Sequence, residues 1–130
     1  MSAEIKELSP KQVWGYFYEL TQIPPPTGHV EAVSRHIVAF GKQLGLETLQ
    51  DKVGNVLIRK PATPGMEDRK TVTLQAHLDM VPQKNSSVSH NFLTDPIDAW
   101  IDGDWVKARE TTLGADTVSY THLTLPTNSL

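Results

Sequence analysis

Cysteine is absent from this 130-residue chain, which excludes disulfide staples, a thiolate nucleophile and any cysteine-held zinc. A metal ion would have to be bound by imidazole and carboxylate. No apolar run approaches the roughly 18 residues of a membrane span. Met1-Ser2-Ala3-Glu4-Ile5-Lys6-Glu7 lacks the basic-then-apolar plan of a secretory signal. No membrane partner is expected, and the cytoplasm is the default compartment. An excess of one charge is also missing. Twelve basic residues against fifteen acidic ones leave a net charge of −3, which offers no electrostatic footprint for nucleic acid or anionic lipid. A small, nearly neutral ligand fits better. Internal repeats and long low-complexity segments are lacking too, and no linker divides residues 9–116. The length is that of one ordinary domain, able to bury about two-thirds of its unfolded surface if complete.

What is present alternates between helical and strand-like patterns, so the fold class is α/β. Ser9-Pro10-Lys11-Gln12 reads as an N-cap with proline at the first helical position, followed by Val13, Phe17 and Leu20 at helical spacing. This helix should end near Gln22, because the prolines from Pro24 to Pro26 cannot continue it. Thr27 is expected to cap a second helix whose apolar stripe is Val30, Val33, Ile37, Phe40 and Leu44, with Gly45 at the left-handed terminator position. Leu46 to Gln50 and Asn55 to Lys60 read as paired antiparallel strands. Residues 61–69 are a proline-rich loop leading into a buried strand from Thr71 to Ala76, and 82–96 form a polar loop. Asp102-Gly103 between Ala99-Trp100-Ile101 and Asp104-Trp105-Val106 signals a hairpin.

The chemistry concentrates in Val72-Thr73-Leu74-Gln75-Ala76-His77-Leu78-Asp79-Met80. Residues i and i+2 of an extended segment share a face, so His77 and Asp79 can leave the strand end side by side. A carboxylate that accepts one imidazole N–H fixes the tautomer and makes the other nitrogen a better metal donor. His-x-Asp alone is a weak signal. A second acidic position strengthens it: Thr111-Thr112-Leu113-Gly114-Ala115-Asp116 ends a small-residue turn with a carboxylate, downstream of a hairpin able to return toward the first strand. One carboxylate there can bridge two cations, which two-metal hydrolases hold about 3.5–4 Å apart.

These two segments, with Ile23-Pro24-Pro25-Pro26, Asp51-Lys52-Val53-Gly54-Asn55-Val56 and Lys60-Pro61-Ala62-Thr63-Pro64-Gly65, resemble the aminoacyl-histidine dipeptidase (peptidase D) branch of the dinuclear zinc peptidases, which is related to glutamate carboxypeptidase and carnosinase. The resemblance covers about residues 9–116. It implies that residues 1–116 are the N-terminal part of a mixed-sheet, helix-flanked catalytic domain with its metals at strand ends. Residue by residue, it implies that His77 is the ligand of one zinc, that Asp79 is the catalytic carboxylate orienting that histidine, and that Asp116 bridges both metals. It further implies two divalent metal ions, zinc ahead of cobalt or manganese, a small dipeptide substrate of the Xaa-His type and broader, and a homodimer for the intact relative.

The family pattern stops after Asp116, where an asparagine, glycines, a glutamate pair, another acidic ligand and a distant histidine are due. The chain instead reads Thr117-Val118-Ser119-Tyr120-Thr121-His122 and on to Leu130, without one acidic residue. Residues 117–130 are therefore read as an unrelated tail, disordered or translated from sequencing-adaptor read-through. The expected function is metal-dependent dipeptide hydrolysis by the intact parent, with this fragment inactive alone. The alternatives are an aminopeptidase or N-acyl amino acid deacylase of the same metal architecture, or a non-catalytic binding fragment.

Other conspicuous residues receive plainer readings. His29 and His36 are expected to be solvated positions of the second helix. Lys84, Asn85, Ser86, Ser87, Ser89 and His90 suit a solvated connector better than a substrate contact. Trp100 and Trp105 are expected to pack across the hairpin. Asp95, Asp98, Asp102 and Asp104 lack the calcium-loop pattern and read as solvated turn carboxylates.

Overall fold

A computed structural model describes residues 3–23 and 26–114. The bridging carboxylate expected at Asp116 and the reading of the tail 117–130 lie outside them. The described chain runs through a short 3-10 helix (Ala3–Glu7), helix α1 (Lys11–Thr21), helix α2 (Glu31–Gln43), strands β1 (Glu47–Gln50) and β2 (Val56–Arg59), and strands β3 (Ala99–Asp102) and β4 (Trp105–Ala108). The strands form two antiparallel hairpins, β1 with β2 and β3 with β4.

Helix α1 joins two small cores. Leu20 meets Val33, Ile37 and Phe40 of α2, and Phe17 meets Ile5 and Ala99. Its aromatic residues divide in the same way, with Tyr16 edge-on to Phe40 and Trp14 edge-on to Phe17 at centroid distances of 5.2 and 5.6 Å. The helix starts one residue later than the sequence suggests. Pro10 is its N-cap, with an extended ψ of 131° and no side-chain cap bond, so Ser9 does not cap it.

The end of α2 follows the glycine rule. Gly45 has φ +69°, and its N–H and that of Leu46 return to the carbonyls of Lys42 and Gly41, the paired bonds of a Schellman terminator. Its start departs from expectation, since the N-cap is Val30 without a side-chain cap and Thr27 is engaged elsewhere. His29 accordingly precedes the helix. His36 faces α1, with Nε2 4.0 Å from Glu19 Oε2.

Hairpin β1–β2 lies against α2, and the connection is polar as well as apolar. Ser34, only 1% exposed, donates to the Gly54 carbonyl and accepts from Gln50 Nε2, both at 2.7 Å. The hairpin loop is organised by Asp51, whose carboxylate accepts the N–H groups of Val53 and Asn55 and the Asn55 side-chain amide.

In the second hairpin Asp102 pairs with Trp105, so the loop residues are Gly103 and Asp104. Gly103, at φ +59°, occupies the first loop position, which a type II′ turn reserves for glycine. The register sets Trp100 opposite Lys107 rather than opposite the second tryptophan. Arg109 stacks over Trp100 at 4.7 Å, and Trp105 is 70% exposed. Two of the turn carboxylates are ion-paired rather than simply solvated, Asp102 with Lys107 and Asp98 with Arg109.

The buried strand expected from Thr71 to Ala76 is not found. Residues 71–79 carry no strand assignment, and Val72 and Leu74 are 78% and 53% exposed. A strand requires a ladder partner, and among the described residues no strand pairs with this segment. Between it and β2 is an open cleft of about 1640 Å³, floored by Ile37 and Phe40 of α2.

Candidate functional site

The segment 71–79 is anchored at its C-terminal end, where Leu78 packs against the core shared by α1 and α2. Met80 is buried and forms an isolated parallel bridge with Pro26, and its carbonyl accepts the Thr27 N–H at 3.1 Å. On the other side the chain returning from β4 runs back along residues 81–84. Thr112 Oγ1 donates to the Val81 carbonyl at 2.7 Å, Thr112 N–H donates to the Gln83 carbonyl at 2.9 Å, and Lys84 bridges Thr111. Gly114 then passes so close to Met80 that a Cβ added there would lie 3.2 Å from the Met80 Cβ and Sδ. Its φ of +71° independently favours glycine. The turn that sequence reading marked as acidic thus returns to the residue next to Asp79. Asp116 itself lies beyond the described residues.

His77 and Asp79 meet as the i, i+2 spacing requires. His77 Nδ1 lies 2.9 Å from the Asp79 carbonyl oxygen and 3.0 Å from Asp79 Oδ1. A carbonyl and an ionised carboxylate only accept, so Nδ1 carries the proton, and in the neutral form of the ring the lone pair lies on Nε2. This is the tautomer a metal ligand needs when its second nitrogen is held by carboxylate. The other oxygen, Asp79 Oδ2, accepts the Thr27 hydroxyl at 2.7 Å. The Thr27 bond first, and the His77 bond second, hold the Asp79 carboxyl below the ordinary carboxylate range. Thr27 escaped the sequence reading because it lies 52 residues from Asp79, and its position after a proline run looks like an ordinary helix cap.

The donors fit one ligand of a metal site and its orienting carboxylate. They do not complete a site, since a catalytic zinc typically takes three protein ligands and the described residues contain no group of three or more His, Asp or Glu able to hold an ion. Elsewhere, His90 Nε2 and Thr111 Oγ1 are buried without a hydrogen-bond partner among the described residues, and His90 packs edge-on against Phe92.

Comparison with known proteins agrees with the geometry. The chain is 55% identical over 114 residues to the cytosol non-specific dipeptidase of Escherichia coli strain K12, a match covering 88% of this chain and 24% of that protein. Its fold is similar to the crystal structure of aminoacylhistidine dipeptidase from Vibrio alginolyticus, with a TM-score of 0.89 and 46% identity over 99% of this chain and 26% of the other. No family model matches. The chain therefore spans about a quarter of the length of the relatives it resembles. Both likenesses bear out the family resemblance drawn from the segments between residues 9 and 116.

Proposed function

We propose that this chain is part of a dipeptidase of the peptidase D type, a cytoplasmic hydrolase that cleaves small dipeptides, Xaa-His among them. The observation that carries the reading is the His77–Asp79 arrangement on a backbone so similar to an aminoacylhistidine dipeptidase. Both matched relatives are named as dipeptidases, which favours this substrate class over an aminopeptidase or an N-acyl amino acid deacylase.

In this reading residues 1–116 form the N-terminal part of the catalytic domain, His77 ligates one of two zinc ions, and Asp116 bridges them. The Gly114–Met80 approach supports Asp116 in that role, because it brings the turn back beside Asp79. A bound metal pair would polarise the scissile carbonyl and supply hydroxide at neutral pH. This chain's own contribution is narrower. His77 offers Nε2 as a donor, and Asp79 holds the proton on Nδ1 so that this nitrogen cannot compete. The cleft beside residues 71–79 is, in the same reading, where later strands of the whole protein complete a mixed sheet. The homodimer belongs to the reading through the family resemblance alone.

The test is an assay of the full-length product of the gene that encodes this chain. Xaa-His dipeptides and N-acetyl amino acids are offered side by side, before chelation and after metal is restored. Dipeptide cleavage lost with chelator and regained with zinc is the expected result. Cleavage of the acyl amino acids in preference, or no metal dependence, overturns the proposal.

A further inference from the structure

We propose that Thr27 is a positioning residue for His77, acting through Asp79 to hold the imidazole in the tautomer that presents Nε2. The inference rests on the reading of His77 as a metal ligand for its purpose, though not for its test.

Two side chains orient the Asp79 carboxylate. Oδ1 faces His77 and Oδ2 faces Thr27 Oγ1, so rotation of the carboxylate about χ2 is opposed at both ends. Among the described residues no other side-chain hydrogen bond to this carboxylate is found. A threonine hydroxyl has one proton to give. Here it has two acceptors, the carboxylate at 2.7 Å and the Met80 carbonyl at 3.3 Å. The shorter, charge-assisted bond takes it.

Thr27 is itself anchored by backbone. Its N–H binds the Met80 carbonyl, and the preceding Pro26 bridges the same residue. The hydroxyl is thus presented to Asp79 from a fixed point on a different part of the chain. A β-branched side chain adds stiffness at χ1, so little rotamer freedom is lost when the bond forms. The chain of contact runs Thr27 to Asp79 to His77, from a loop before α2 to the extended segment that bears the histidine.

One contact competes. His77 Nδ1 also lies 2.9 Å from the Asp79 backbone carbonyl, which would hold the same tautomer without Thr27. The two possibilities give different results on substitution. If the carboxylate matters, removing the Thr27 hydroxyl frees it to rotate and the Nε2–H tautomer gains population. If the backbone carbonyl suffices, nothing changes.

The experiment measures the tautomer ratio of His77 from its ring nitrogen chemical shifts in the full chain, at a pH where the ring is neutral, with the signal assigned by a His77→Gln variant. Thr27→Val keeps the shape and removes the donor. Thr27→Ala removes both and is read in parallel, so the comparison survives if the valine variant does not fold. Thr27→Ser keeps the hydroxyl. The expected result is a fall of about two- to tenfold in the ratio of Nδ1–H to Nε2–H for valine and alanine, the range set by one ordinary hydrogen bond, with serine close to the parent. An unchanged ratio in the valine and alanine variants overturns the proposal, as does a serine variant that falls as far as they do. Because the readout needs neither metal nor substrate, failure of the dipeptidase reading would appear separately, in the hydrolysis assay.

Discussion

Asp79 and Asp51 show how a surface or half-buried aspartate becomes informative through what it accepts. Asp79 joins a loop hydroxyl to a histidine. In the full-length protein, Asp79→Asn should lower metal affinity or activity about 10- to 100-fold, the usual consequence of losing a carboxylate behind a ligating histidine. Metal titration and steady-state kinetics check this, and an unchanged enzyme would show that the carboxylate does not orient His77. Asp51 organises the β1–β2 loop, and its carboxyl is held below its ordinary value first by the Asn55 side-chain amide and then by backbone N–H groups. A carboxyl with a lowered pKa in the fold stabilises it above the unfolded value, about 3.9. That contribution disappears as pH falls through the lower folded value. Acidification below about pH 4 should therefore loosen this loop, read as movement of the Val53 and Asn55 amide signals. Asp51→Asn should remove that pH response.

Gly41 decides how α2 meets its hairpin. A Cβ there would collide with Thr48 Oγ1 and lie 3.0 Å from Ile58 Cδ1. Alanine gains roughly 1 kcal/mol over glycine in helix propensity, but overpacking costs about 1–3 kcal/mol. The collision wins because Thr48 is β-branched and its hydroxyl already donates to the Leu46 carbonyl. Gly41→Ala should therefore lower the melting temperature, and adding Thr48→Ala should recover part of the loss. Gly114→Ala meets both obstacles at once, a positive φ and Met80 at 3.2 Å. It should cost about 1–2 kcal/mol from backbone strain alone, measurable by denaturant unfolding, and should loosen the 111–114 segment from residues 80–83.

The described residues are held together by two small cores that share α1, while a considerable apolar surface stays open. Leu57 on β2 and Val72 and Leu74 across the cleft are all exposed, on segments whose outer edges have no strand partner among the described residues. Unpaired edges with apolar side chains template association. The chain by itself should self-associate with rising concentration in light scattering, and Leu74→Lys should raise the concentration at which this begins. Ligand counting makes a second prediction at this scale. With only His77 and Asp116 at positions the resemblance assigns to metal ligands, the 130-residue chain should not keep two zinc ions through dialysis against a chelator. Two ions retained would mean that other residues complete the site.

Local chemistry alone determined much of this protein. The apolar stripe and Gly45 of α2, the pairing of β1 with β2, the Asp-Gly hairpin and the meeting of His77 with Asp79 are all set within a few residues of chain, where periodicity, turn sterics and i, i+2 geometry act directly. Only the tertiary structure decided the rest. Thr27 reads as a helix cap until Pro26 is placed against Met80 and its hydroxyl finds Asp79, a contact between distant segments that no local pattern encodes. The apolar run from Thr71 to Ala76 reads as a buried strand, yet burial depends on what pairs with it and covers it, and among the described residues no strand pairs with it and Val72 and Leu74 stay exposed. Sequence thus fixes the conformations a segment prefers, whereas pairing and burial depend on which other segments pack beside it.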